Sequence, residues 1–358
     1  MPDVVGGTVM PTMRETGRSI WTLWVCVFLA IGITLDGGQC AYAVSYSLAI
    51  SRPTSRVIVI PFEYVRGHIF LQLELDDEGP STIMLDTGFV SDERTILVDT
   101  SVARRLRLRR GEKLDVDGMG ESDVLARKIH DIDIHLNGNV EVQSAAESIN
   151  LSALSHALDH PLDGILGFAF LRDYVTVIDY THSVLRLYPP AHYHYHGDGI
   201  QLRMDKASPV IRVKVVMPDG KERWTQLLID TGSDSELLFY RQFVVKYERS
   251  LMSRDSRQTT YIGLGGTYTC DVVRLRNIQF GDIALGDSLM FNSPYVDLAR
   301  MTAGASAKSH LDGHLGNPLL QHANVIFDPS RRRFILEPVQ KRVQSVVLPG
   351  EVGVAMNN

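Results

Sequence analysis

The chain has 358 residues, with 36 Lys and Arg against 42 Asp and Glu and a formal net charge of -6. That length accommodates about two domains with substantial cores, and a composition that is 44% hydrophobic and 22% charged is that of a globular protein. The acidic balance, with no long Lys/Arg run, supplies no field to attract a phosphate backbone, so no nucleic acid partner is expected.

At the N-terminus, Arg14 and Arg18 precede a run from Ile20 to Leu35 that is apolar apart from Thr22, Gly32 and Thr34, and small residues follow at Ala41 and Ala43. Basic, apolar and A-x-A regions in that order make residues 1–43 a predicted signal peptide, cleaved after Ala43, and the protein is expected to be exported to the periplasm or secreted. An uncleaved N-terminal segment is the alternative and the one membrane attachment expected, but Asp36 ends the run short of the roughly 18–20 residues a span needs. Residues 44–55 form a short N-terminal segment with no room for an inhibitory domain. Cys26 and Cys40 leave with the signal, so Cys270 stands alone and core burial rather than a disulfide must hold the fold.

From here on the chain is written twice. The stretch STIMLDTGFV, ending the first predicted hairpin, places Asp-Thr-Gly at 86–88, and TQLLIDTGSD places it again at 230–232. A glycine hairpin follows each, GMGES from Gly118 and GLGGT from Gly263, at offsets of 32 and 33 residues from the Asp. Each half then closes with a related segment, DGILGFAFLRDYVTVIDY from Asp163 and DGHLGNPLLQHANVIFDP from Asp312. The halves are predicted as two lobes, 56–190 and 198–340, joined by a linker at 191–197 and followed by a tail at 341–358.

Each lobe reads as mostly strand. HIFLQLEL from His68 and VIRVKVV from Val210 are rich in β-formers, and the turns DDEGP and PDG lead each into the strand that ends at Asp-Thr-Gly. Few helices are predicted: one from Thr100 in TSVARRLRL and a longer one from Ser235 in SELLFYRQFVVKYERSL. The linker is predicted to be solvated. Its His192, His194 and His196 would share one face of an extended strand, but zinc sites bring further ligands at characteristic spacings and none is evident nearby, so no metal and no cofactor is expected.

Two copies of Asp-Thr-Gly have a chemical use that one copy lacks. A carboxylate at the end of a buried strand is costly unless something compensates it. Two such strands meeting across a pseudo-twofold axis would set Asp86 beside Asp230, where the pair holds one proton over a wide pH range. The ionised member accepts a proton from a water between them while the protonated member polarises a carbonyl, which suits attack of water on an amide. Thr87 and Thr231 hydroxyls can bond across the interface, and Gly88 and Gly232 let backbone amides approach the carboxylates.

With these residues the sequence resembles the aspartic protease family, both its two-lobed pepsin-like and its single-lobed retroviral members, over about residues 55–340. The short lobes and single glycine hairpins look most like bacterial proteins with two fused retropepsin-like units. The resemblance implies an all-β, bilobal pepsin-like fold of two pseudo-symmetric lobes. It implies Asp86 and Asp230 as catalytic residues, with Thr87, Gly88, Thr231, Gly232 and Ser233 supporting them. Segments threading beside the dyad would be Ile165, Leu166 and Gly167 in the first lobe and Leu315 and Gly316, after His314, in the second. Substrate-covering flaps would be Gly118, Met119 and Gly120 in one hairpin and Gly263, Leu264, Gly265 and Gly266 in the other, with Tyr268 or Met119 as the covering side chain.

The sequence also departs from that pattern. Phe89 stands where a hydroxyl or a small residue is usual, whereas the second copy keeps Ser233, so the two Asp need not be equivalent. His314 replaces an apolar residue and could couple to the dyad. The expected function is an exported aspartic endopeptidase, monomeric because both motifs lie in one chain, acting on peptide or protein substrates, with an optimum on the acid side of neutrality unless the cleft is dry. The alternative is a non-catalytic peptide-binding protein of the cell envelope with the same fold, which Phe89 and His314 favour.

Overall fold

Runs of β-formers separated by short turns dominate both halves, and the computed structural model folds them accordingly. It describes residues 56–89, 96–116, 124–136, 140–195, 199–205, 207–252, 257–281, 289–292, 294–299 and 310–338. The predicted signal peptide, the segment 44–55, the first glycine hairpin at Gly118–Gly120, His196 and the tail 341–358 lie outside the described residues. The protein is mostly β.

The first half contains β1 (Ile58–Val65), β2 (His68–Leu75), β3 (Glu78–Asp86), β4 (Ile96–Asp99), β5 (Arg110–Val116), β6 (Val124–Leu136), β7 (Val140–Ile149), β8 (Gly164–Gly167), β9 (Val175–Asp179) and β10 (Val184–Tyr188). The second contains β11 (Ile200–Gln201), β12 (Arg203–Asp205), β13 (Ser208–Val216), β14 (Glu222–Asp230), β15 (Leu237–Phe239), β16 (Arg257–Gly263), β17 (Gly266–Arg274), β18 (Asn277–Phe280), β19 (Leu289–Asn292), β20 (Tyr295–Ala299), β21 (Gly313–Gly316), β22 (Ala323–Asp328) and β23 (Arg333–Pro338).

The repeat in the sequence is a repeat in topology. In the first half β3 runs parallel to β8, β8 antiparallel to β4, and β4 parallel to β7. In the second, β14 runs parallel to β21, β21 antiparallel to β15, and β15 parallel to β20. Register agrees to the residue, since Asp86 lies opposite Gly167 and Asp230 opposite Gly316. The same Asp locks each arrangement: the Asp163 carboxylate accepts from Thr82 N–H at 2.8 Å, and the Asp312 carboxylate accepts from Gln226 N–H at 2.8 Å. Both acceptors lie in the repeated Asp-Gly pairs of the sequence.

The halves also share a sheet. Strand β9 pairs antiparallel with β22, with Ile178 opposite Val325 and Thr176 opposite Phe327, so strands from both ends of the chain continue one ladder β11-β23-β22-β9-β10-β1. Strand β1 then leaves it: Ile58–Pro61 pairs with β10 and Phe62–Val65 with β2. Pro61, which has no N–H to donate, is the last residue of the first pairing. A buried core runs from Ile58 and Phe62 through Phe168, Phe239 and Phe327 to Phe334, which ties the two halves together.

Two sequence expectations change. The helix predicted from Ser235 begins only at Arg241 and runs to Leu251, because Leu237, Leu238 and Phe239 form β15, in the sheet between β20 and β21. Their complete burial in the sheet interior overrides a periodicity compatible with helix. The linker is not simply solvated: His192 and His194 face outward, while Tyr193 and Tyr195 pack against Val175, Val177, Ile326 and Ile335 of the shared sheet. The helix from Thr100 runs to Arg105, with the Asp99 carboxylate accepting from Ser101 N–H at its start. Cys270 is buried and unpaired, and no helix among the described residues is long and apolar enough to cross a membrane.

Candidate active site

Strands β3 and β14 end side by side, and their last residues are Asp86 and Asp230. A side chain on Gly88 would meet the Asp230 carboxyl carbon at 2.4 Å, and one on Gly232 would meet that of Asp86 at 2.3 Å. Each glycine is required because the other half's carboxyl occupies the space a Cβ would need. The two carboxyls are hydrogen-bonded to each other.

Below them, four hydrogen bonds cross between the halves. Thr87 Oγ1 donates to Ile229 O at 2.7 Å and accepts from Thr231 N–H at 3.0 Å. Thr231 Oγ1 donates to Leu85 O at 2.8 Å and accepts from Thr87 N–H at 3.0 Å. Both threonines are fully buried, so no water substitutes for these partners.

Backbone amides hold the carboxylates. Asp86 Oδ1 accepts from Gly88 N–H at 2.8 Å and Phe89 N–H at 2.9 Å, and Asp230 Oδ1 accepts from Gly232 N–H at 2.9 Å. Loss of solvation outweighs these bonds. Burial first, then the charge of Asp230, pushes the Asp86 carboxyl up to about 8; burial raises Asp230 to about 6, moderated chiefly by its hydrogen bond with Asp86. The pair therefore holds one proton around neutrality. Asp230 keeps 16% of its side chain exposed, so the dyad is reachable from solvent on one side.

The threading segments lie directly behind. Gly167 and Gly316 have no room for a Cβ, which would meet Phe89 O at 2.6 Å and Ser235 O at 1.9 Å respectively. Ile165 and Leu166 sit opposite Met84 and Leu85, and His314 and Leu315 opposite Leu228 and Ile229. The Ser233 hydroxyl is directed at His314 Nε2, 2.9 Å away, and Ser233 reaches Asp230 through its backbone N–H. The imidazole lies on β21, the strand next to β14, at a position that is apolar in the first half, and it captures the Ser233 hydroxyl.

Of the two hairpins, the second is described. Gly263 pairs with Gly266, leaving Leu264 and Gly265 as the turn, and Gly266 adopts φ 100°, which favours glycine. Leu264 packs against an apolar cluster of the first half that includes Phe70, Met84, Ile165 and Phe89. Tyr268 does not cover the site: it is 7% exposed, stacked on Tyr261 and packed with Val210 and Tyr240. Its position on β17, three residues beyond the turn, turns it into a buried cluster of the second half, so the residue at the tip is Leu264.

Three site residues were not singled out from the sequence. Asn317, fully buried, donates to Gly67 O at 2.9 Å and to Thr231 O at 3.2 Å and accepts from Tyr180 O–H, joining the halves beneath the second Asp-Thr-Gly. Its signal was the mismatch in the repeat, where the first copy has Phe168. His68 spans Arg66 O at 2.9 Å and Gly232 O at 3.1 Å. Tyr240 lies with its hydroxyl 3.4 Å from His314 Nδ1.

No protein-family model matches the chain, and no curated protein matches it. Among solved structures it is similar to Basic 7S globulin from soybean, with 11% sequence identity, 78% of this chain and 94% of that chain covered, and a TM-score of 0.44. The expected membership of the aspartic protease family, bacterial fused type, is corrected by these findings. Asp-Thr-Gly fixes a turn and its carboxylate through a handful of residues, and such a local pattern does not carry the similarity along the whole chain by which a family is defined.

Proposed function

We propose that Asp86 and Asp230 hydrolyse peptide bonds by activating a water between them, in a cleft between two pseudo-symmetric β-rich lobes. The observation that carries this reading is the reciprocal contact of the two carboxyls, each pressed against the other half's glycine. The ionised carboxylate takes a proton from water as its oxygen bonds to the amide carbon, and the protonated carboxyl donates to the carbonyl oxygen. Collapse of the tetrahedral species breaks the C–N bond and returns a proton to the departing amine. An extended peptide would lie in the cleft through main-chain hydrogen bonds, beneath the Gly263–Gly266 hairpin, with no cofactor needed for these steps.

The test is incubation with a diverse peptide library across pH. A bell-shaped profile is expected, since the doubly ionised pair cannot polarise the carbonyl and the doubly protonated pair cannot activate water. Because burial raises both carboxyls, the maximum is expected between about 6 and about 8, nearer neutrality than two aspartates would ordinarily give. A profile without an alkaline limb, or cleavage that a chelator abolishes, would sink the shared-proton mechanism.

Both aspartates belong to one chain, so we expect specific activity to be constant on dilution. Loss of specific activity in step with dissociation of a dimer would show that lobes pair between chains. A second reading, a cell-envelope protein that binds peptide without turnover, is favoured by Phe89, whose side chain offers Asp86 no hydroxyl. Peptide binding with no cleavage at any pH would establish it. Export, to the periplasm or beyond, remains part of the proposal and rests on residues 1–43.

A further inference from the structure

The two halves provide an internal control on the dyad, because equivalent positions around each aspartate can be compared. Behind Asp86 stand Phe89 and Ile165, both in one apolar cluster. Behind Asp230 the same positions hold Ser233 and His314. His314 is 3% exposed, Nε2 lies 2.9 Å from Ser233 Oγ, and Nδ1 lies 3.7 Å from Asp230 Oδ2 and 3.4 Å from Tyr240 Oη.

Hydrogen counting selects the tautomer. Ser233 Oγ already accepts from Ser235 N–H at 3.2 Å, and its own proton is free to be donated to Nε2. The imidazole proton then sits on Nδ1 and faces Asp230 and Tyr240. The opposite tautomer would aim a nitrogen lone pair at a carboxylate in a buried setting, where such repulsion is poorly screened. Other ionisable groups around the ring are Asp86, Asp234 and Asp297; their pull is outweighed by burial, which pushes the imidazole down to about 4 and keeps it neutral where the dyad works. His314 thus presents a fixed N–H dipole, not a charge.

We propose that His314 is a positioning residue that assigns the two roles in the dyad: anchored by Ser233, with its Nδ1–H toward Asp230, it makes Asp230 the ionised, water-activating member and Asp86 the protonated member that polarises the carbonyl. At 3.7 Å the N–H is beyond a direct hydrogen bond but close enough to favour the charged form of the carboxylate. Ile165, at the matching position beside Asp86, has nothing to offer in return. This assignment rests on the proteolytic reading for its catalytic meaning, but the proton's location is a property of the protein whether or not it turns over.

The experiment is therefore read first without turnover. In protein labelled with ¹³C at the Asp side-chain carboxyl carbon, the Asp86 and Asp230 resonances, assigned by their loss in D86N and D230N, are titrated in wild type, H314L and H314Q. The lower titration midpoint is expected at Asp230, rising by roughly half a unit to one unit in H314L and returning toward wild type in H314Q, which restores a side-chain N–H. The acid limb of the pH–rate profile should move up in H314L by the same amount and the alkaline limb should stay. An Asp230 midpoint unmoved in a folded H314L, or a lower midpoint at Asp86 in wild type, overturns the proposal. If the midpoints behave as expected but no peptide is cleaved at any pH, the role assignment stands and the proteolytic reading fails.

Discussion

Asp86→Asn and Asp230→Asn are each expected to lower peptide hydrolysis by about 10³-fold or more, while Asp86→Asn makes the protein more stable at neutral pH. Asn keeps the shape and the oxygen that accepts from Gly88 and Phe89 N–H, but it cannot hold the mobile proton. The stability change follows from linkage. Asp86 is pushed up to about 8 from 3.8, so between those values the folded state binds more protons than the unfolded state. Stability from this group is then full below its unfolded value and falls as pH rises toward its folded value. Substitution by a neutral side chain removes that loss, on the order of 2–4 kcal/mol near neutrality. Urea unfolding of wild type and D86N at several pH values measures it: the two curves should separate with rising pH, with the mutant higher. Turnover surviving either substitution, or D86N less stable than wild type near pH 8, would remove the shared-proton dyad from consideration.

The second large effect is expected at the threonines beneath the dyad. Thr87→Val removes a hydroxyl that donates to Ile229 O and accepts from Thr231 N–H, and it leaves both groups buried without those partners. At roughly 1–3 kcal/mol for each group so stranded, the loss is about 2–6 kcal/mol, and Thr231→Val should match it because Leu85 O and Thr87 N–H are stranded in the same way. Thr87→Ser keeps the hydroxyl and should recover most of the stability. Turnover should fall together with stability in the Val variants, since these bonds hold the two carboxyls in contact across the interface. Thermal unfolding of the two Val variants, the double mutant and the Ser control decides. A Val variant as stable as wild type would mean that the hydroxyl ladder contributes little to joining the halves.

What could be read from the sequence and what could not divide along physical lines. The duplicated Asp-Thr-Gly, the repeated Asp-Gly segments and the strand pairs around His68 and Val210 are local patterns, and local patterns are set by residue type and spacing. They predicted the mostly β class, the two aspartates and the glycines between them, and the structure brings these residues together at one point. The strand Leu237–Phe239 was read as helix because three apolar residues before a helical stretch fit either period; only its place between β20 and β21 decided the matter. The shared sheet of β9 and β22 joins residues far apart in sequence, and the inward turn of Tyr193 and Tyr195 follows from that sheet's existence.

The same holds at the site. Sequence identified His314 and Phe89 as departures from symmetry but could not say what each faced. The partner of Ser233, the reach of Asn317 to Gly67 and Thr231, the inward turn of Tyr268 and the packing of Leu264 on the first half are all contacts between distant segments. Family membership, inferred from the motifs, did not survive comparison along the whole chain. The sequence by itself determined that the Asp-Thr-Gly carboxyls, the candidates for chemistry, come in two matched copies. The tertiary structure alone decided what the departing residues face, Ser233 bonding His314 and His314 lying near Asp230 and Tyr240, because those contacts join segments brought together only by packing.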